Sequence, residues 1–481
     1  GLATAVGLLP LRAARGLPRA DAEYWLGRFA GLARDAAAFA VSDGSPQRAV
    51  ELLELGRTVL IAQTLDGRTD LSTLRERDPA LADRFEWLST RIEDTDTDRP
   101  EDRQAWADEL DGVVARVRAL PDLARFLLPP VAADLIAQTG EGPVVLVNVS
   151  PYRSDALLVT PGGIQALSLP DLTPDRLAEV VARFLHAVRD DLPSPHHGRR
   201  DRAEHVIADT LAWLWDAVAS PVLAVLALAP GDRLWWVPTG PLALLPLHAA
   251  GRPEGPSTLD QVIPSYAPSI RALAHARAAI AHRSPGRTLV VGMPTTPEEK
   301  DLPAALREAE FVTRSASQAH TLIGPEATSE AVLAAMDDSA WAHFACHATT
   351  GASPSDSRLL LHDHAQRPLT ATTVSRLRLR SASLAYLSAC ETAVTNADLA
   401  DEVIHIASAF HLAGYPRVIG TLWSVEDTAA ETIAECVYST LNAGGQDPGL
   451  AVRALHHAVT QLRDDHPHRP SRWASHVYLG V

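Results

Sequence analysis

HFACHATT, residues 343–350, sets two histidines and a cysteine ahead of small hydroxyl residues, at the end of an apolar run, WAHFACHA, that reads as a buried strand. A second run of the same kind, SLAYLSAC, ends at Cys390 and continues as ETA. If both are strands of one sheet, the fold class follows. Near-continuous apolar strands interleaved with helical patterns imply an α/β protein with a mostly parallel sheet and helices on both faces, and such sheets bind ligands at the carboxyl ends of their strands. His347 and Cys390 fall at two such ends.

Working outward, RTLVVGMP, HTLIG, RVIGTLW and WASHVYLGV are further strand candidates, with helices expected at 327–337, 401–413, 427–442 and 449–464. Upstream, PVVLVNVS, SDALLVT, GIQALSLP and RLWWVPTG read as strands of another α/β unit. Its two long helical patterns, 174–190 and 201–219, bracket an exposed loop, LPSPHHGRRDR (192–202), and it carries no evident nucleophile. Residues 18–92 are helical: YWLGRFAGLARDAAAFAV and SPQRAVELLELGRTVLIAQTL have apolar residues three and four apart, and the SDGSPQ turn between them marks a helical hairpin. The acidic EDTDTDRPEDR stretch (93–103) reads as a solvated linker. The expected organisation is a helical region at 1–124, one α/β unit at 125–270 and a second at 271–481.

The formal charge of −16, from 59 acidic and 43 basic residues, lacks the concentrated basic face that phosphate binding requires, so protein or peptide partners are expected and nucleic acid is not. Lys300 is the only lysine; with the alanine-rich composition, this suggests a high-GC bacterial coding bias more than a physical need. Three cysteines, Cys346, Cys390 and Cys436, make no disulfide framework and suit a reducing cytoplasm. No apolar run of about 18 residues and no signal-peptide layout is visible, so neither a membrane span nor export is expected. The chain starts at Gly1 rather than Met, as a piece of a longer chain would.

A cysteine nucleophile needs a base to take its proton and donors for the developing oxyanion. Adjacent parallel strands ending at His347 and Cys390 supply the pair, with the backbone N–H groups of Ala348 and Cys390 turned to the same place. A metal site built on His343, Cys346 and His347 is the competing reading; alternation along a strand lets only His343 and His347 share a face, and no CxxC or HExxH accompanies them. No cofactor is implied. A cysteine taken alone is most often a small buried hydrophobe.

The stretches HFACHA and LSACETA resemble the His and Cys motifs of the CHAT family of caspase-like cysteine peptidases, related to separase and gingipains and often fused to tetratricopeptide repeats. RLWWVPTGPLALLPLHA, PSYAPSIRAL, TLVVGMP, LPAALREAE, LIGPEAT, DEVIHIASAFHLAGYPRVIGTLWSVED and RWASHVYLG follow the family's order, so the resemblance covers roughly 125–481, and AVELLELGR resembles a last repeat-like helix before such a domain. It implies a caspase-like fold whose 125–270 unit is an inactive subdomain preceding an active one, with His347 as base, Cys390 as nucleophile and no third side chain required. The departure is Ala348, where the commoner motif has Gly. The resemblance also implies a charged pocket choosing the residue before the cut. Asp398, Asp401 and Glu402 after Cys390, and Asp356 after His347, are the candidates, which would select Arg or Lys; Asp401 and Glu402 equally suit the N-terminus of the next helix. The expected function is an intracellular cysteine endopeptidase cutting a protein substrate and regulated by a partner bound to its helical region. The alternative is a silent scaffold that keeps the fold for binding.

Overall fold

Valine- and leucine-rich runs form the strands, as suits segments buried on both faces. In the first half of the chain these are β1 (Val144–Val149), β2 (Ser154–Thr160), β3 (Gly163–Ser168), β4 (Asp232–Pro238) and β5 (Val262–Tyr266). In the second they are β6 (Arg287–Gly292), β7 (Ala319–Ile323), β8 (Ser339–Ala345), β9 (His347–Thr349), β10 (Arg358–Leu360), β11 (Leu369–Thr370), β12 (Leu384–Ser388), β13 (Arg417–Thr421) and β14 (His476–Gly480). The computed structural model describes residues 1–93, 100–280, 286–351, 354–389 and 405–481.

Among the described residues, eleven strands make one sheet in the order β3-β2-β1-β4-β5-β14-β13-β12-β8-β6-β7, while β9, β10 and β11 form a small second sheet. Most neighbours in the large sheet run parallel, as the apolar runs imply; the exceptions are β1–β2, β2–β3 and β13–β14. β14 is the seam. It pairs in parallel with β5 at Leu479↔Tyr266 and antiparallel with β13 along its whole length. Strands β1, β4 and β5 therefore point one way, and β13, β12, β8, β6 and β7 the other. The carboxyl rims of the two halves lie on opposite edges of one continuous sheet.

Both faces are covered. On β8, His343 meets Tyr438 of the helix Asp427–Ala443, whereas the next residue, Phe344, packs on Phe410 of the helix Ile406–Ala413 with ring centroids 5.3 Å apart. Alternation along the strand sends the two side chains to opposite layers. The helix Pro303–Ser315 lies against β6 and β8 and against Asp427–Ala443.

The N-terminal hairpin forms as its sequence implies, Leu32–Ser42 and Pro46–Gly56 folding back at Gly44, whose φ of 73° suits a residue without Cβ. Its apolar stripe, including Ala33, Ala37, Val50 and Leu53, packs on the Leu146, Leu157 and Trp235 face of the first half. The helices Ser72–Arg77, Pro79–Glu93 and Pro100–Arg118 instead gather a core of their own around Phe85 and Leu88.

Two expectations are corrected. The 192–202 segment is not a loop throughout: a helix runs over His197–Leu214, so Arg199 and Arg200 occupy its first turn, exposed. With its continuation to Leu226 this helical run is long and apolar enough to cross a membrane by length and composition, but more than half of that stretch is buried in the protein. Second, WAHFACHA is not a single strand. Among the described residues, the pairing of β8 with its neighbours ends beside Ala345, at Gly292 of β6 and Ser388 of β12. The chain turns at Cys346, and His347 begins β9 against β10.

Candidate active site

The break at Cys346 decides what each histidine does. His343, still on β8, is fully buried, with Nδ1 3.2 Å from the Tyr438 hydroxyl and its ring 5.0 Å from that of Tyr386. It belongs to the core. His347 stands beyond the sheet, half-buried, and the two histidines no longer share a face of one strand as alternation along 343–347 would give. Among the described residues, no group of three or more His, Cys, Asp or Glu side chains is arranged to hold a metal ion.

His347 is fixed from its far side. Nε2 donates to the carbonyl oxygen of Lys300 at 2.7 Å. A carbonyl can only accept, so the neutral imidazole carries its proton on Nε2 and keeps the Nδ1 lone pair as a base. The loop that presents this carbonyl is folded onto the strand ends: the Met293 amide donates to Ala345 O at 2.9 Å and the Leu302 amide to Pro294 O at 2.8 Å. His364 Nε2 adds a bond to Pro297 O at 3.0 Å. Glu298, two residues before Lys300, takes a left-handed φ of 64°, a conformation costing roughly 1–3 kcal/mol for a residue with Cβ. Ala348, by contrast, lies in β9 opposite Leu359 and is not among the left-handed residues, so the Cβ that replaces the commoner glycine brings no backbone strain.

β12 brings Ser388 beside Ala345, two residues before Cys390. Cys390 itself, with Asp398, Asp401 and Glu402, lies outside the described residues. Asp356 is described: it is exposed, in the turn Pro354–Asp356, where its neighbour Ser355 is hydrogen-bonded to Glu23 of the helix Arg19–Arg28. The carbonyl of Ala389 accepts the Thr421 hydroxyl of β13 at 2.6 Å. Just beyond, Trp423 is fully buried against Phe184, with Nε1 3.1 Å from Ser471 O, anchoring the segment that leads into the helix Asp427–Ala443.

A cavity of about 50 Å³ opens between the ends of β8, β12 and β13. Glu308, Cys346, Ser388, Ala389, Asp427 and His476 are among the residues that line it. Glu308 is 3 % exposed; its Oε2 accepts the Ser388 hydroxyl at 3.0 Å, while Oε1 lies 3.2 Å from His343 Nε2 without the alignment of a hydrogen bond. Burial lowers His476 to about 4, so its imidazole is neutral at physiological pH. Burial, then the charge of Glu308, raises the Tyr386 hydroxyl well above its usual range.

This geometry meets an independent finding. The CHAT domain family model matches residues 208–481, more than half of the chain. The chain belongs to the CHAT domain family. The structure is also similar to that of Saccharomyces cerevisiae separase in its complex with securin, with a TM-score of 0.50 at 11 % identity over 92 % of this chain and 38 % of that one. This chain thus spans well under half the length of the separase chain it matches. Gingipain R, an Arg-specific cysteine proteinase, matches with a TM-score of 0.36 at 13 % identity, covering 64 % of this chain and 74 % of that one. No curated protein matches the sequence. The fold is caspase-like, with a mostly parallel central sheet behind an N-terminal helical region.

Several parts of this CHAT site escape a reading of the motifs. The Lys300 contact is made by a carbonyl that any residue would supply, so it leaves no mark in the sequence. Glu308 sits within LPAALREAE, where a glutamate in a helical pattern reads as solvent-facing. His476 and Thr421 reach the cavity only because β14 and β13 are neighbours.

Proposed function

We propose that this CHAT protein is a cysteine endopeptidase acting through Cys390 and His347. The observation that carries the reading is the Nε2 bond of His347 to Lys300 O, which leaves Nδ1 as the free base at the rim where the strand bearing SLAYLSAC ends. Nδ1 takes the proton from the Cys390 thiol, and the thiolate attacks the scissile carbonyl carbon. The amide N–H groups of Ala348 and Cys390 receive the developing oxyanion. Collapse breaks the C–N bond, the amine leaves with the proton held by His347, and water then hydrolyses the thioester. The substrate is a protein cut after a basic residue.

The helical region is the proposed receiver of a regulating partner. In support, it touches the segments that flank the site: Glu23 accepts from Ser355, Arg68 donates to the carbonyls of Ser375 and Leu412, and Glu93 accepts from Arg378 at 3.2 Å. Burial lowers Arg68 to about 10, leaving it charged at neutral pH.

The test is reaction of the full chain with a thiol-directed peptide probe, followed by peptide mapping. Cys390→Ala should abolish labelling and peptide cleavage, and His347→Ala should slow acylation by roughly two to four decades, the range for a lost general base. Cys346→Ala and Cys436→Ala should retain both. Equal labelling of Cys390→Ala and the parent would exclude the assignment and favour the silent scaffold.

A further inference from the structure

We propose that a second cavity, where the helical region meets the second half of the sheet, binds a small organic monoanion: a carboxylate on a short apolar stem. None of its lining belongs to the His347 rim, so its occupancy does not depend on the peptidase reading.

The cavity has a volume of about 110 Å³. On one side are the helices Arg19–Arg28, Val59–Asp66, Pro79–Glu93 and Pro100–Arg118; on the other are Thr372, Ser375 and Arg376. Such a volume has room for roughly eight waters, or for an organic molecule of about as many heavy atoms. Leu17, Leu60, Ile92 and Leu110 form an apolar wall, which favours a hydrocarbon stem over water.

The charge of the lining selects the head group. Arg15, Arg19 and Arg376 stand against one carboxylate, Glu93. Glu93 is already matched by Arg378 at 3.2 Å and Arg68 at 3.9 Å, neither of them in the lining. Arg15 and Arg19 hold Asp66 and Glu23, but Asp66 is shared with Arg271. Together these are six guanidiniums against three carboxylates, a local positive excess in a chain of formal charge −16. Guanidinium forks match a carboxylate, while Glu93 in the wall opposes the second charge of a dianion.

One donor is left over. Gln63 Nε2 donates to Ala13 O at 2.7 Å, and the hydroxyls of Thr64, Thr372 and Ser375 donate to carbonyl oxygens at 3.0, 3.1 and 2.9 Å. The Ser89 hydroxyl, on a lining residue only 4 % exposed, has no hydrogen-bond partner in the protein. A buried hydroxyl is costly in that state, and a carboxylate beside it would accept its proton in a hydrogen bond. Thr372 and Ser375 belong to the helix Ala371–Ser375, which follows β11 of the small sheet that His347 begins. A bound anion therefore ties the helical region to that sheet.

The test is calorimetric titration of the full chain with hexanoate, hexanol, hexylammonium and inorganic phosphate, with amide hydrogen exchange to locate the binding. Hexanoate should bind with a Kd below about 1 mM, and the alcohol and the ammonium at least about tenfold more weakly. Exchange should slow in Pro79–Glu93 and in residues 372–376. Ser89→Ala should weaken hexanoate roughly tenfold, as expected for a lost hydrogen bond to a charged group, yet leave the melting temperature of the free chain unchanged or raised. A hydroxyl that served only the fold would instead lower the melting temperature and leave the affinity alone. Arg376→Gln should weaken hexanoate several-fold. Absence of hexanoate binding overturns the proposal, as does equal binding of the alcohol or the ammonium, tighter binding of phosphate, or protection confined to other segments. If Ser89→Ala shows no cooperative melting, Arg376→Gln decides alone, and an unchanged Kd overturns the site.

Discussion

The two carboxyl rims of the sheet have met opposite fates. At the rim of the first half, the N-terminal hairpin is docked onto the strand ends: Arg34 donates to Val149 O at 3.3 Å, Asn148 donates to Arg34 O at 2.9 Å, Ser150 bonds Asp35 at 2.8 Å, and Arg57 donates to Pro238 O at 3.0 Å. Gly240, at a φ of 54°, leaves room for the Arg34 guanidinium, which would stand 2.8 Å from a Cβ there. Glu54 closes the same edge by accepting the Ile270 and Arg271 amides at the start of the helix after β5. At the rim of the second half, the chain leaves β8 for a separate small sheet, exposes the His347 ring and keeps a cavity. Strand ends always present unpaired polar groups that must find partners. One rim answers with helices and becomes structure; the other, among the described residues, keeps a cavity between its strand ends.

The seam offers the largest lever on this contrast. His476 on β14 and His248 beside β5 are both buried, and burial lowers them to about 4 and about 3, with each other's charge a further cause for His248. Both are neutral in the folded chain, whereas the unfolded chain takes up protons below pH ~6.5. Stability is therefore fully present above that pH and is lost as pH falls from ~6.5 towards the folded values, by up to ~1.4 kcal/mol per unit for each group. By pH 5 the pair should have removed about 4 kcal/mol, seen as a lower denaturant midpoint than at pH 7. His476→Asn should remove about half of the slope; an unchanged slope would mean that His476 is not held neutral by burial at the seam.

A smaller effect is expected at the closed rim. Glu54→Ala leaves two helix amides without acceptors and should cost about 1–3 kcal/mol in denaturant unfolding. The loss is moderated because burial already raises the Glu54 pKa, which makes its ionised form costly. Cleavage per folded molecule should stay within about twofold. A large fall in kcat at full folding would break the contrast by coupling the two rims.

The smallest effect concerns Arg199 and Arg200. Their pairing with a basic preference invites the idea of self-processing, but both lie in the first helical turn of His197–Leu214, and a peptidase needs an extended strand of substrate. Incubation of the active protein should give no cut between residues 198 and 202 by mass spectrometry. A cut that disappears in Cys390→Ala would show that the helix opens.

The sequence was most legible where burial dictates composition. PVVLVNVS, RLWWVP and SLAYLS lie inside a covered sheet, where the chain places mostly apolar residues and a polar one such as Asn148 only with a partner, so β1, β4 and β12 stand out. The hairpin at SDGSPQ was legible because glycine and proline are required there. The break at Cys346 was not, since the turn follows from where neighbouring strands stop and uses neither residue. Sheet order was hidden for the same reason: nothing in SHVYLG says that it will lie between β5 and β13. At the site, the motif carried His347, but the atom that orients its ring is a backbone oxygen, and the acid at the base of the cavity is specified by packing rather than by its distance from Cys390.

The seam strand also bears on the order in which the protein comes into being. β14 is the last strand in chain order among the described residues, yet it stands sixth of eleven in the sheet. On the ribosome, until residues 476–480 emerge, β5 and β13 each present a bare edge, and pairing across so long a stretch of chain is slow and open to mistaken partners. Thr421, which grips the carbonyl of Ala389, is itself paired with His476. A nascent chain thus carries His347 before it has the frame that steadies the other strand end, and this rim is complete only once synthesis has passed the seam.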